Sequence, residues 1–184
     1  MSINTRMLFL YYLATFVLLL ASDLVGYALT VEGVLDLASE VNGLESLHLG
    51  AGLTTALFIF EHNSIINLAI SIPFLGPIAY VFSLGETGLV LGYAAASLNP
   101  YSGMGIYGPF LAYTVSALFP HGLLELLAYS ISLYASMDVS LSITRHERVN
   151  PIRWLILLSI SMVVLLAAAA LEALELGLVR SMGL

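Results

Sequence analysis

Long apolar runs separated by short polar breaks organise this chain. The first run covers residues 7–29, MLFLYYLATFVLLLASDLVGYAL, and is long enough to cross a bilayer, which takes about 20 apolar residues. Residues 30–46, TVEGVLDLASEVNGLES, form the longest polar stretch. There Glu32, Asp36, Glu40 and Glu45 alternate with Val31, Val34, Leu35 and Leu37, a pattern that predicts a short amphipathic helix on the membrane surface. A second apolar segment covers residues 47–72 and is interrupted by Glu61-His62-Asn63-Ser64. Pro73, Gly76 and Pro77 then mark a tight turn, because proline lacks a donor and glycine tolerates unusual dihedrals.

Residues 77–97 form a third segment carrying Gly85, Gly88, Gly92 and Ala96. Gly88 and Gly92 make a GxxxG pair, and a stripe of this kind admits close approach of another helix. The apolar stretch over 109–143 is too long for one ordinary crossing. Pro120 and Gly122 divide it into a half-helix over 109–119, a break at 120–122 and a full helix over 122–143. A basic cluster over 145–153 and a last span over 152–176 complete the pattern. The expected fold is therefore all-α: one polytopic membrane domain with five spans and one broken or re-entrant half-helix.

Composition agrees. The chain of 184 residues is 60% hydrophobic and 9% charged, more apolar surface than a soluble domain of this length can bury. With no cysteine, disulfides, thiolate metal sites and cysteine nucleophiles are excluded. All five basic residues are arginine and the net charge is −7, so nucleic acid is not an expected partner. The expected partners are the bilayer and either a second copy or another membrane protein. The N-terminal run is expected to persist as a first span rather than be cleaved. Arg6 and the 145–153 cluster orient the N-terminus to the cytoplasm. The acidic stretch and the C-terminus then lie outside, and the half-helix enters from outside. Tyr11, Tyr12, Tyr93, Tyr101, Tyr107 and Trp154 fall near span ends, as an interfacial belt would.

Two blocks echo one another: FEHNSIINLA over 60–69 and FPHGLLELLA over 119–128. Phe60, His62, Leu68 and Ala69 match Phe119, His121, Leu127 and Ala128. Broken helices meeting near the midplane form substrate and ion sites in transporters, so the spacing suggests that His62 and His121 meet inside. His121 and Glu125 are four residues apart and share a helix face. Polar groups in lipid must pair, so a His121–Glu125 clamp closing the helix break is one reading. A proton or ion path is a second, and a metal or hydrolytic site drawing also on Glu61 and His62 is a third. Asn63, Asn67 and Glu86 are candidate partners, with Glu172 and Glu175 placed towards the outer interface and Asp23 at the far end of the first span. No complete catalytic set, metal site or cofactor motif is present in the sequence.

The order of a mid-helix Asn63, a glycine turn, Thr87-Gly88 with Gly92, the PHGxxE motif over 120–125 and a lone Glu172 in the last helix resembles the stage II sporulation protein M family of membrane proteins. The likeness covers most of residues 55–175, and PHGxxE is its most specific part. It implies a common architecture around His121 and Glu125 and a scaffold role beside cell-wall hydrolases or transporters. It transfers no catalytic residue, and the acidic 30–46 stretch and the Glu61-His62-Asn63 triplet depart from it. Three functions thus stay open: a non-enzymatic scaffold or assembly subunit, a transporter or channel, and an intramembrane metal-dependent hydrolase.

Overall fold

In a computed structural model, residues 4–38, 52–97 and 102–181 are described. They form α1 (Thr5–Val31), α2 (Leu53–Ser71), α3 (Gly76–Ser97), a single 3-10 turn (Ser102–Met104), α4 (Tyr107–Ala117), α5 (Pro120–Thr144) and α6 (Pro151–Ser181). The architecture is all-helical, and α1, α2, α3, α5 and α6 are each long and apolar enough to cross a membrane.

Local chemistry sets the helix starts. Asn4 caps α1, its Oδ1 accepting from the Met7 amide at 3.2 Å, and Asn150 caps α6, accepting from the Arg153 amide at 3.0 Å. Pro120 and Pro151 each open a helix, where a missing amide donor costs nothing.

Helix α5 is the hub. Two thirds (67%) of its membrane window is buried, against 28% or less for each other span, so its side chains have protein rather than lipid as neighbours. Helix α6 runs along α5, α1 along α3, and α2 bridges α6, α5 and α3. Helix α4 rests on α3 and α1.

The α1–α3 crossing shows why glycine is needed at two positions. A Cβ on Gly88 would lie 2.8 Å from the Leu19 carbonyl oxygen and 2.9 Å from the Asp23 amide. A Cβ on Gly92 would collide with the Asp23 carbonyl and the Tyr27 amide. The small-residue stripe is therefore occupied by α1 of the same chain at Gly88 and Gly92, while Gly85 has only the Ser22 hydroxyl nearby, at 4.0 Å.

The α2–α3 turn leaves backbone groups outside the helical ladders, and neighbouring helices satisfy them. Phe74 takes a positive φ of 65°, a strained conformation for a side-chain-bearing residue. Its amide donates to Ser140 Oγ at 2.8 Å, Ser136 Oγ donates to the Ile72 carbonyl at 2.7 Å, and Trp154 Nε1 donates to the Ser71 carbonyl at 2.9 Å. The N-terminus joins this end, since the Asn4 amide donates to the Tyr134 hydroxyl at 3.1 Å. Arg153 also donates to Tyr134, at 2.8 Å, and pairs with Asp138 at 3.2 Å. The N-terminus, the α2–α3 turn and the α5–α6 loop thus share one end of the bundle.

Several sequence expectations change. Glu61-His62-Asn63-Ser64 does not interrupt α2, which is continuous, because polar side chains on a helix surface leave its backbone ladder intact. The core therefore has one broken segment rather than two. That break falls at Leu118 and Phe119, with Pro120, His121 and Gly122 already inside the first turn of α5. Gly122 serves close packing instead: a Cβ there would collide with the Ser116 carbonyl. Residues 34–37 are not helical, and residues 39–46 of the expected amphipathic helix lie outside the described residues. Tyr12, Trp154 and Tyr93 bond within the protein, to the Leu123 carbonyl, the Ser71 carbonyl and Asp36, rather than simply marking an interface. Tyr107 is exposed, and Tyr101 lies outside the described residues.

Candidate functional site

A partly open cavity of about 180 Å³ lies where α4 gives way to α5. Its walls come from Leu19 of α1, Leu84, Thr87 and Leu91 of α3, Ser116 of α4, His121, Gly122, Glu125, Leu126 and Tyr129 of α5, and Glu172 of α6. The helix break creates this space. Ending α4 at Ala117 and restarting at Pro120 lets α5 set His121 and Glu125, one turn apart, on the face that also meets α6.

Each polar side chain has a definite partner. His121 Nδ1 pairs with Glu175 of α6, and their side chains are only 16% and 24% exposed. Glu125 Oε1 accepts from the Tyr129 hydroxyl at 2.9 Å. Glu172 of α6 lines the same cavity as Glu125. The site thus gathers three carboxylates, one imidazole and one phenol inside a bundle of membrane-spanning dimensions. Intramembrane ionisable groups of this sort are costly to bury and mark ion or substrate sites.

His62 does not join His121. Helices α2 and α6 run antiparallel, with Asn67 donating to Ser161 Oγ at 2.9 Å and Trp154 bonded to the Ser71 carbonyl. Continuing that register places His62 near Leu166, nine residues from the Glu175 that holds His121. At 1.5 Å per residue the two imidazoles differ in depth by about 13 Å. His62 and Glu61 are exposed, Asn63 is half-buried, and none of the three lines the cavity. Glu86 is exposed on α3 and is likewise not in the site. Of the expected polar cluster, the structure brings together His121, Glu125 and Glu172 alone. The expected partnership also changes: His121 and Glu125 share a face, yet His121 is held by Glu175 and Glu125 by Tyr129. Among the described residues, no three His, Asp or Glu side chains converge as metal ligands.

Three residues carry more weight than their sequence context suggests. Glu175 follows Glu172 by three residues, and that spacing on one helix face was the available signal. Asn67 is fully buried at the junction of α2, α5 and α6, where Ser132 and Ser161 are 2.9 Å apart. Asp23 is fully buried as well, and neither of its carboxylate oxygens has a hydrogen-bond partner among the described residues. Expected at an interface, it is instead enclosed, because α1 continues to Val31 and packs its Asp23 backbone onto Gly88 and Gly92.

Compared with models of known protein families, with characterised proteins and with solved structures, the chain matches none.

Proposed function

We propose that this protein is a non-enzymatic membrane transport component that binds a small cation in the cavity between α3, α5 and α6. The observation that carries the reading is the placement of Glu125 and Glu172 on one partly open cavity, with Glu175 beside them on His121. The carboxyl groups line a volume rather than converging on a point, which suits a hydrated ion or a small ammonium better than a bare metal. A volume of about 180 Å³ holds on the order of six waters. The hydrolase alternative gains no ligand set from this arrangement.

The resemblance to the stage II sporulation protein M family remains part of the proposal, since its PHGxxE residues form one wall of the cavity. The scaffold role implied by that family drew support from the small-residue stripe. Gly88 and Gly92 of that stripe are occupied within the chain. We orient the end carrying Asn4, the α2–α3 turn and the Arg145–Arg153 loop to the cytoplasm, following the arginine bias. The cavity then belongs to the outer half.

The test is uptake of potassium or methylammonium into proteoliposomes. Wild-type protein is expected to take up one of them, and Glu125→Gln and Glu172→Gln to reduce that uptake while remaining folded. Wild-type protein that moves neither ion, or uptake unchanged in both variants, refutes the reading.

A further inference from the structure

Asp23 is the group that the cavity does not use. It lies in the middle of the α1–α3 packing, fully buried, with both carboxylate oxygens unpartnered among the described residues. An ionised carboxylate in such a place lacks the cation or donors that make burial tolerable.

Among the described residues it forms no ion pair and no hydrogen bond through its carboxylate. From α3 it meets Gly88 and Gly92, while Glu86 of that helix is exposed. From α4, Tyr113 is near enough to couple with it electrostatically, yet the Tyr113 hydroxyl donates to the Phe16 carbonyl, at 3.2 Å. Tyr27, one turn further along α1, presses its backbone amide onto Gly92. Tyr93 of α3 directs its hydroxyl to Asp36.

The cavity is one helical turn away. Leu19 lines it and precedes Asp23 by four residues on α1. Leu91 of α3 also lines it, and the adjacent Gly92 touches the Asp23 backbone. The same two helices therefore wall both places. Between them at Asp23 the contact is backbone on backbone, with the Ser22 side chain seated against Gly88.

We propose that Asp23 is a proton-binding site, loaded in this conformation, whose proton exchanges through the cavity so that cation occupancy there is coupled to Asp23 protonation. The coupling rests on the cation-site reading above; the loaded proton does not. In the coupled exchange the Asp23 O–H bond breaks, its electron pair stays on Asp23 as the carboxylate and its proton passes to water in the cavity, so that one cation enters the cavity for each proton that leaves.

Two measurements separate the parts. The first is the infrared spectrum of the protein in lipid at neutral pH, compared with Asp23→Asn, the amide isostere of a neutral acid. Loss of a protonated-acid C=O stretch in the variant is expected; loss of ionised-carboxylate stretches alone overturns the proposal. The second is proton movement in proteoliposomes driven by a gradient of potassium, or of methylammonium where that is the ion taken up, followed with an internal pH dye. Wild type is expected to move protons, and Asp23→Asn to lose that movement while the same ion still shifts its melting temperature. Equal proton movement in the two proteins overturns the coupling. If neither potassium nor methylammonium moves or shifts the wild-type melting temperature, the cation-site reading fails and the coupling with it. The infrared comparison then still decides whether Asp23 holds a proton.

Discussion

His121 on α5 is held by Glu175 on α6, while Glu125, one turn further along the same helix as His121, is held by the Tyr129 hydroxyl. The pair that looks intrahelical in sequence is thus two separate contacts, one of which ties α5 to α6 beside the cavity.

This division predicts a pattern of coupling. Glu175→Ala is expected to cost on the order of 1–3 kcal/mol, because it strips a mostly buried imidazole of its partner. Glu125→Ala is expected to cost a similar amount, by orphaning the Tyr129 hydroxyl rather than His121. A double-mutant cycle in detergent should then give a coupling of about 0.5–3 kcal/mol for His121 with Glu175. For His121 with Glu125 the coupling should be clearly smaller. The reverse order would show that the helix-face pair is the real clamp.

The glycines of α3 are expected to differ in sign. Gly92→Ala forces a methyl group into the Asp23 carbonyl, and overpacking of this kind costs about 1–3 kcal/mol. Gly85→Ala meets nothing closer than 4.0 Å and removes a flexible residue from a helix. It should raise stability by roughly 0.5–1 kcal/mol. Thermal unfolding of both variants checks this, and a destabilised Gly85→Ala would mean that α1 and α3 approach more closely at this level than described.

Trp154→Phe removes the indole donor from the Ser71 carbonyl at the end of α2. A net loss of about 0.5–1.5 kcal/mol is expected for one such hydrogen bond. Ser136→Ala should act in the same direction by releasing the Ile72 carbonyl. If both variants melt like wild type, the α2–α3 turn does not depend on these side-chain donors.

The sequence made the spans legible because lipid-length apolar runs and prolines at helix starts are local signals. Pro120 announced the break between α4 and α5 to within a few residues. The site was only half legible. His121, Glu125 and Glu172 stood out as polar residues in apolar runs, but their partners depend on how α5 and α6 rotate against each other, which no local pattern encodes. The His62 echo misled for the same reason: equal spacing from an apparent segment start does not fix depth when the helices begin at different levels. Asp23 was hidden by its position near the end of an apolar run, where carboxylates ordinarily reach water; only the close α1–α3 crossing encloses it.

Accessibility tests site and orientation together, because the chain contains no cysteine to confuse labelling. Single cysteines at Thr87 and Ser116 line the cavity, His62→Cys does not, and Asn150→Cys lies in the α5–α6 loop. With a membrane-impermeant thiol reagent added outside intact cells, Thr87→Cys and Ser116→Cys are expected to react. Asn150→Cys should react only after the membrane is opened. Protection of Thr87→Cys and Ser116→Cys by potassium or methylammonium, with His62→Cys unaffected by either ion, would place the cation in this cavity. If Asn150→Cys reacts from outside, the orientation is inverted. If neither cavity cysteine reacts from either side, the cavity is dry, and His121, Glu125, Glu172 and Glu175 hold the α5–α6 contact without serving an ion.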